Sequence, residues 1–179
     1  LTVVVNDITD RKRMERALME SERKQRHRAA ELKIVLDAVP AAVCIANDAE
    51  CKSITGNRMA YDLLRLPQGS NLAFAEVDGA KTATFRMFRN GRVLEAHELP
   101  VQMAAFRGIE VRDFEQDIVF DDGSIRHLVG NAAPLRDSNG KVYGAVAAFI
   151  DITTRRNMEE QIRRMAHFDS LTSLPNRIL

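Results

Sequence analysis

Lys141-Val142-Tyr143-Gly144-Ala145-Val146-Ala147-Ala148-Phe149-Ile150-Asp151-Ile152-Thr153 joins an apolar run to an Asp-Ile-Thr signal, and charged, helix-favouring sequence follows at once. The run from Lys141 to Ile150 reads as a strand, and Thr153 to Ala166 reads as a helix that continues its path. Asp151 and Thr153 suit a helix start, by capping and by pairing with Arg155 or Arg156. The same signal occurs near the other end of the chain. Asp7-Ile8-Thr9 followed by Arg11, Met14 and Glu15 matches Asp151-Ile152-Thr153 followed by Arg155, Met158 and Glu159, at one common offset. Val3-Val4-Val5 precedes the first copy as an apolar run precedes the second. Repetition at a long fixed period suggests serial modules of one design. Asp151, Ile152, Thr153 and Arg155, with Asp7 and Thr9, are therefore the candidate residues of a strand-to-helix transmission junction. A good helix start explains them equally well in local terms.

Outward from this junction, Arg112 to Phe120 and Ser124 to Leu135 are two further strands, divided by turns at Asp121-Asp122-Gly123 and Asp137-Ser138-Asn139-Gly140. Consecutive hairpins imply an antiparallel sheet. Ala41 to Ala46 and Cys51 to Thr55 add two short strands around Asn47-Asp48-Ala49-Glu50. Asn57 caps a short helix whose buried face is expected to carry Met59, Ala60, Leu63 and Leu64, and Pro67 stops it. Glu98 to Phe106 is a helix with Pro100 in its first turn and Gly108 beyond its end. Residues Gln68 to Leu94 give only short helical and extended pieces. The expected fold class is α+β: a five-stranded antiparallel sheet with short helices inserted between strands two and three, flanked by N- and C-terminal helices.

Asp10 to Asp37 contains no Gly or Pro and reads as one long helix, roughly 40 Å if regular. Heptad-like positions Met14, Leu18, Ser21, Gln25, Arg28, Leu32, Val35 and Val39 are apolar at both ends and polar between, and Ala29, Leu32, Leu36 and Val39 offer a competing frame. Such a seam suits a weak parallel coiled coil able to change register. The competing reading is an amphipathic helix packed on its own domain. Met158, Ile162 and Met165 repeat the positions of Met14, Leu18 and Ser21.

Composition excludes several classes. The 179 residues are 45% hydrophobic and 28% charged with a formal charge of +1, which describes a globular core without the basic patch that nucleic acid requires. Cys44 and Cys51 have no metal-ligand spacing, so free thiols in a reducing, cytoplasmic setting are expected and no metal site is assigned. Apolar runs such as Val142 to Ile150 are far shorter than the roughly 20 residues that span a bilayer. With no starting Met or signal peptide, the chain reads as a piece of a longer protein, whose membrane anchor, if it has one, lies elsewhere.

Two strands, a helical insert, three antiparallel strands and an Asp-Ile-Thr exit resemble a PAS domain, spanning about Ala29 to Ile152. Asn57-Arg58-Met59-Ala60 with Leu63-Leu64, Asp121-Asp122-Gly123-Ser124, Ala133-Pro134-Leu135-Arg136-Asp137 with Gly140 and Gly144, and Phe149 to Thr153 carry the likeness. Arg89-Asn90-Gly91-Arg92 with Glu98-Leu99-Pro100 and Arg107-Gly108 resembles a bacterial signalling subtype. The resemblance implies a sensory or dimerising module whose curved sheet encloses a small cavity, and it makes Val3 to Arg13 look like the end of an upstream PAS module. His167-Phe168-Asp169-Ser170-Leu171-Thr172-Ser173-Leu174-Pro175-Asn176-Arg177 resembles the lead-in to a GGDEF domain, the catalytic unit of diguanylate cyclases, with Ser173 in place of a Gly common in that family. The implied organisation is residues 1–9 as the end of an upstream module, 10–39 as a linker or coiled-coil helix, 40–152 as the PAS domain, 153–168 as an exit helix and 169–179 as the start of a GGDEF domain.

That organisation implies a homodimer through the flanking helices, relaying a signal to a domain that joins two GTP molecules into cyclic di-GMP. No catalytic residue is assigned within the chain itself. Two alternatives stand beside it: a ligand-free spacer that pairs subunits, and a regulator of an inactive GGDEF domain coupled to an EAL phosphodiesterase. Cys44, Asn131, Ala133 and Ala145 are the candidate cavity residues for a small molecule, with Gly130 and Ala132 beside them, while a filled core explains the same small residues by default. The sequence spells out no cofactor. It has no Asn-Cys-Arg motif of flavin-binding light sensors, and neither His97 nor His127 has a haem-ligand setting.

Overall fold

The computed structural model describes residues 2–73 and 85–167, with side chains placed for 11–73 and 85–165. The 169–179 segment, residues 74–84 and the side chains of Asp7 and Thr9 lie outside that description. The chain forms two units, divided between Val39 and Pro40.

The first unit is α1 (Thr2–Ala38), 37 residues long, or about 55 Å. From Asp10 on its composition of Ala, Leu, Glu, Lys and Arg favours helix, and contacts one turn apart reinforce it: the ion pairs of Arg11 with Glu15 at 3.3 Å and Glu20 with Lys24 at 2.7 Å, and His27 beside Glu31 at 3.2 Å. Met14, Leu18, Leu32 and Val35 are exposed along it. The helix starts well before Asp10, which corrects the expectation of a strand at Val3 to Val5. An extended segment needs a neighbour for its N–H and C=O groups. A helix satisfies them internally.

Among the described residues the second unit is built on an antiparallel sheet of seven strands, not five. In chain order these are β1 (Ala42–Ala46), β2 (Ile54–Gly56), β3 (Phe85–Arg89), β4 (Arg92–Val93), β5 (Val111–Phe120), β6 (Ile125–Arg136) and β7 (Val142–Asp151). Their spatial order is β2-β1-β7-β6-β5-β3-β4, so the first and last strands in the chain lie side by side. The added pair β3 and β4 is a hairpin closed by Asn90 and Gly91, both at positive φ (51° and 76°), as a tight two-residue turn requires. Arg92 then grips Glu98 through two bonds of 2.7 and 2.9 Å, so the motif from Arg89 to Glu98 latches the hairpin to the turn that leads into α3 (Pro100–Arg107).

Strand β2 starts at Ile54 rather than Cys51. The Asp48 carboxylate accepts the N–H groups of Glu50, Lys52 and Ser53 at 2.8–3.0 Å, holding residues 48–53 in a compact turn where Cys51 has a φ of 53°. α2 (Arg58–Leu64) follows, capped as expected by Asn57, although Met59 is exposed and Tyr61 takes its place in the core. Asn57 does more than cap. Buried, it accepts the N–H groups of both Ala60 and Val43 at 3.0 Å and donates to the Ala41 carbonyl at 2.8 Å, clamping α2 to β1.

The inner face of the sheet and helices α2 and α3 enclose the core. Phe114, Ile118 and Phe120 from β5, Leu128 and Ala132 from β6, and Ala145, Ala147 and Phe149 from β7 alternate inward, as a half-buried strand demands. Gly130 on β6 faces Phe149 on β7. A Cβ there would stand 2.3 Å from the Phe149 ring and 2.4 Å from the Ala148 carbonyl, so only glycine lets that ring lie flat across the strand.

Candidate functional site

The junction between β7 and α4 (Thr153–His167) is held by more than chain continuity. Asp151 accepts the Thr153 N–H at 2.9 Å and receives Arg126 of β6 at 2.7 Å. Burial pushes the Asp151 carboxyl up, but the bonds from Thr153 and Arg126 outweigh it and hold the group below the usual carboxylate range. Thr153 Oγ1 accepts the His127 N–H at 2.9 Å, and the Ile152 N–H returns to the His127 carbonyl at 2.8 Å. One turn on, Arg156 reaches Glu115 of β5 and lies 3.4 Å from His127 Nδ1, which itself meets Asp117 at 2.7 Å. The first turn of α4 is thus tied to three adjacent strands.

Asp151, Ile152 and Thr153 come together there as the sequence led one to expect. Arg155 does not join them: it points along the exposed helix to Glu159 at 2.8 Å, and Arg156 makes the tertiary contact instead. Sequence reasoning set His127 aside as a weak metal ligand and overlooked Arg126 and Asp117. A signal was available, because all three lie on neighbouring strands within two residues of Leu128 and Gln116, the positions in register with Asp151, but register is a pairing property that no single segment displays.

On the other side of the sheet, a cavity of about 60 Å³ lies between the strands and α2 and α3. Cys44, Leu63, Met87, Leu128 and Phe149 line it with Gln102 and Gln116. Burial pushes the Cys44 thiol up to about 12, so it is neutral and unreactive at physiological pH. Of the four expected cavity residues only Cys44 is there. Ala145 is fully buried in the core but is not among the cavity-lining residues. Asn131 and Ala133 belong to a separate shallow groove with Glu110 and Arg112. Asn131 has a structural task on that face: it accepts the Asp113 N–H at 2.7 Å where β5 bulges between Val111 and Phe114 and Asp113 has a φ of 48°. Gln116 was missed, although it interrupts the inward alternation Phe114, Ile118, Phe120.

Among the described residues no group of three or more His, Cys, Asp or Glu side chains is arranged to hold a metal, and no helix is long and apolar enough to cross a membrane.

Residues 36–157 match the family model described as PAS fold. Among solved structures, the PAS domain of BvgS from Bordetella pertussis shares 20% identity over 79% of this chain and 98% of its own, with a TM-score of 0.50. The PAS domain of an HTR-like protein from Haloarcula marismortui shares 15% identity over 75% of this chain and 99% of its own, at a TM-score of 0.48. A sensory box histidine kinase/response regulator from Burkholderia thailandensis shares 15% identity over 74% of this chain and 92% of its own, at 0.41. No curated protein sequence matches.

Proposed function

This chain belongs to the PAS fold family, and from that premise we propose that its domain is a sensory relay whose output leaves through α4 toward a GGDEF-type domain opening at residues 169–179. The observation that carries the reading is the tie of α4 to β5, β6 and β7 through Thr153, Asp151 and Arg156. A helix fixed at one end to three strands converts a shift of the sheet into rotation or translation of its far end. The relay moves only as far as the stimulus favours one sheet state over the other.

Met158, Ile162 and Met165 lie exposed on α4, as do Met14, Leu18, Leu32 and Val35 on α1. In this reading they pair with a second copy, and the register of that pairing sets whether two cyclase domains face each other with GTP. In this reading the setting is the cytoplasm, where GTP is found.

The test joins residue 179 to a GGDEF catalytic domain and measures cyclic di-GMP made from GTP. Each residue inserted in α4 turns the helix by about 100°. Inserting two residues after Met158 is expected to change the rate severalfold, and inserting seven is expected to restore it. Equal rates in all three forms would sink the relay.

A further inference from the structure

Gln116 stands in the inward row of β5 between Phe114 and Ile118, only 4% exposed, and its Oε1 has no hydrogen-bond partner among the described residues. Buried carbonyl oxygens in native folds are satisfied by protein, water or ligand, so an orphan one on a residue that lines empty space marks a missing donor. That space is the cavity described above, and Gln102 of α3, 5% exposed, lines it as well. By this measure one water needs about 10–15 Å³. The roughly 60 Å³ present therefore matches a few waters or one compact organic molecule. None of the described lining residues is charged, and Cys44 is held as a neutral thiol. An ion entering would lose its hydration without gaining a counter-charge.

We infer that the cavity takes an uncharged, compact, largely apolar molecule bearing one hydroxyl or N–H donor, which bonds to Gln116 Oε1. Apolar walls supply the affinity, and the Gln116 amide sets orientation and selects against analogues that lack the donor. This deepens the sensory reading and rests on it for signalling, while binding itself does not depend on α4.

The experiment titrates the 179-residue chain with three probes of one shape and follows backbone amides by NMR. Cyclopentanol offers a donor, cyclopentanone only an acceptor and cyclopentane neither. Cyclopentanol is expected to shift the amides of Cys44, Leu128 and Phe149 and to bind roughly tenfold more tightly than the other two. Gln116→Leu is expected to abolish that preference. Gln116→Met, closer in length, serves if the first variant does not fold. Equal binding of ketone and alcohol, no shift at cavity amides with any probe, or a preference that survives the substitution would each overturn the inference. Binding without accompanying shifts at Arg126 and Thr153 would leave it standing and count against the relay. Absent binding in a chain whose α4 insertions still control cyclase output would do the reverse.

Discussion

Thr153 Oγ1 lies 2.9 Å from the backbone nitrogen of His127, so the residue that begins α4 completes the hydrogen bonding of β6. Helix start and strand end are one unit. Thr153→Val keeps the shape but removes the acceptor, leaving a partly buried N–H unpaired. The expected cost is about 1–2 kcal/mol in urea unfolding, with faster amide exchange at His127 and in the first turn of α4.

Asp151 gives that joint a defined response to acid. Its folded carboxyl titrates below the ordinary value of 3.8, so its contribution is complete above the unfolded pKa and is lost as pH falls through the folded one. Glu98, held at about 2 by Arg92 and the Glu95 N–H, follows the same sign. Urea midpoints are expected to hold from neutrality to about pH 4.5 and then fall, and Asp151→Asn is expected to flatten part of that fall. Carboxyl NMR should place the Glu98 midpoint at about 2.

Cys44 gives the opposite limb. Its folded thiol is raised to about 12, whereas the unfolded thiol ionises near pH 8.5. Stability linked to it is complete below the unfolded value and declines as pH rises past it. At pH 8, iodoacetamide is expected to label Cys44 on the order of a hundredfold more slowly in the folded chain than in urea.

Asn57→Ala removes the helix cap and strands both the Val43 N–H and the Ala41 carbonyl in the core. A loss of about 2–4 kcal/mol in chemical unfolding is expected. Asn57→Asp keeps the acceptor but lacks the donor for Ala41 and buries a charge. It is expected to recover little.

Gly130→Ala places a methyl group against the Phe149 ring and the Ala148 carbonyl. The expected destabilisation is about 1–3 kcal/mol by thermal unfolding. Adding Phe149→Leu is expected to relieve only part of it, because the backbone carbonyl cannot move aside.

Long segments with a clear period were legible in the sequence, and short ones were not. β5, β6 and β7 declared themselves by alternation and by Asp-Gly and Asn-Gly turns. β3 and β4 were lost within Gln68 to Leu94 because Arg86, Arg89 and Arg92 interrupt a hairpin only a few residues long. The candidate cavity residues Cys44, Asn131 and Ala133 divide between two hollows for a different reason. Small side chains suggest space, but what decides is which face they occupy. Asn131 and Ala133 share the parity of Val129, on the face opposite Leu128, Gly130 and Ala132. The same parity rule would have picked out Gln116, in step with Phe114 and Ile118. The junction was half legible: Asp151 and Thr153 announce a helix start locally, but Arg126 and His127 meet them, and Glu115 meets Arg156, only through strand pairing.

The adjacency of β1 and β7 bears on how such a domain is handled as a genetic part. Ala42, just inside its entrance, is paired with Phe149, just before its exit, at a separation of about 5 Å. Cutting the domain out, or splicing in another of the same topology, therefore leaves ends that already meet. A longer protein can gain or lose such a domain as a cassette without restructuring what lies on either side.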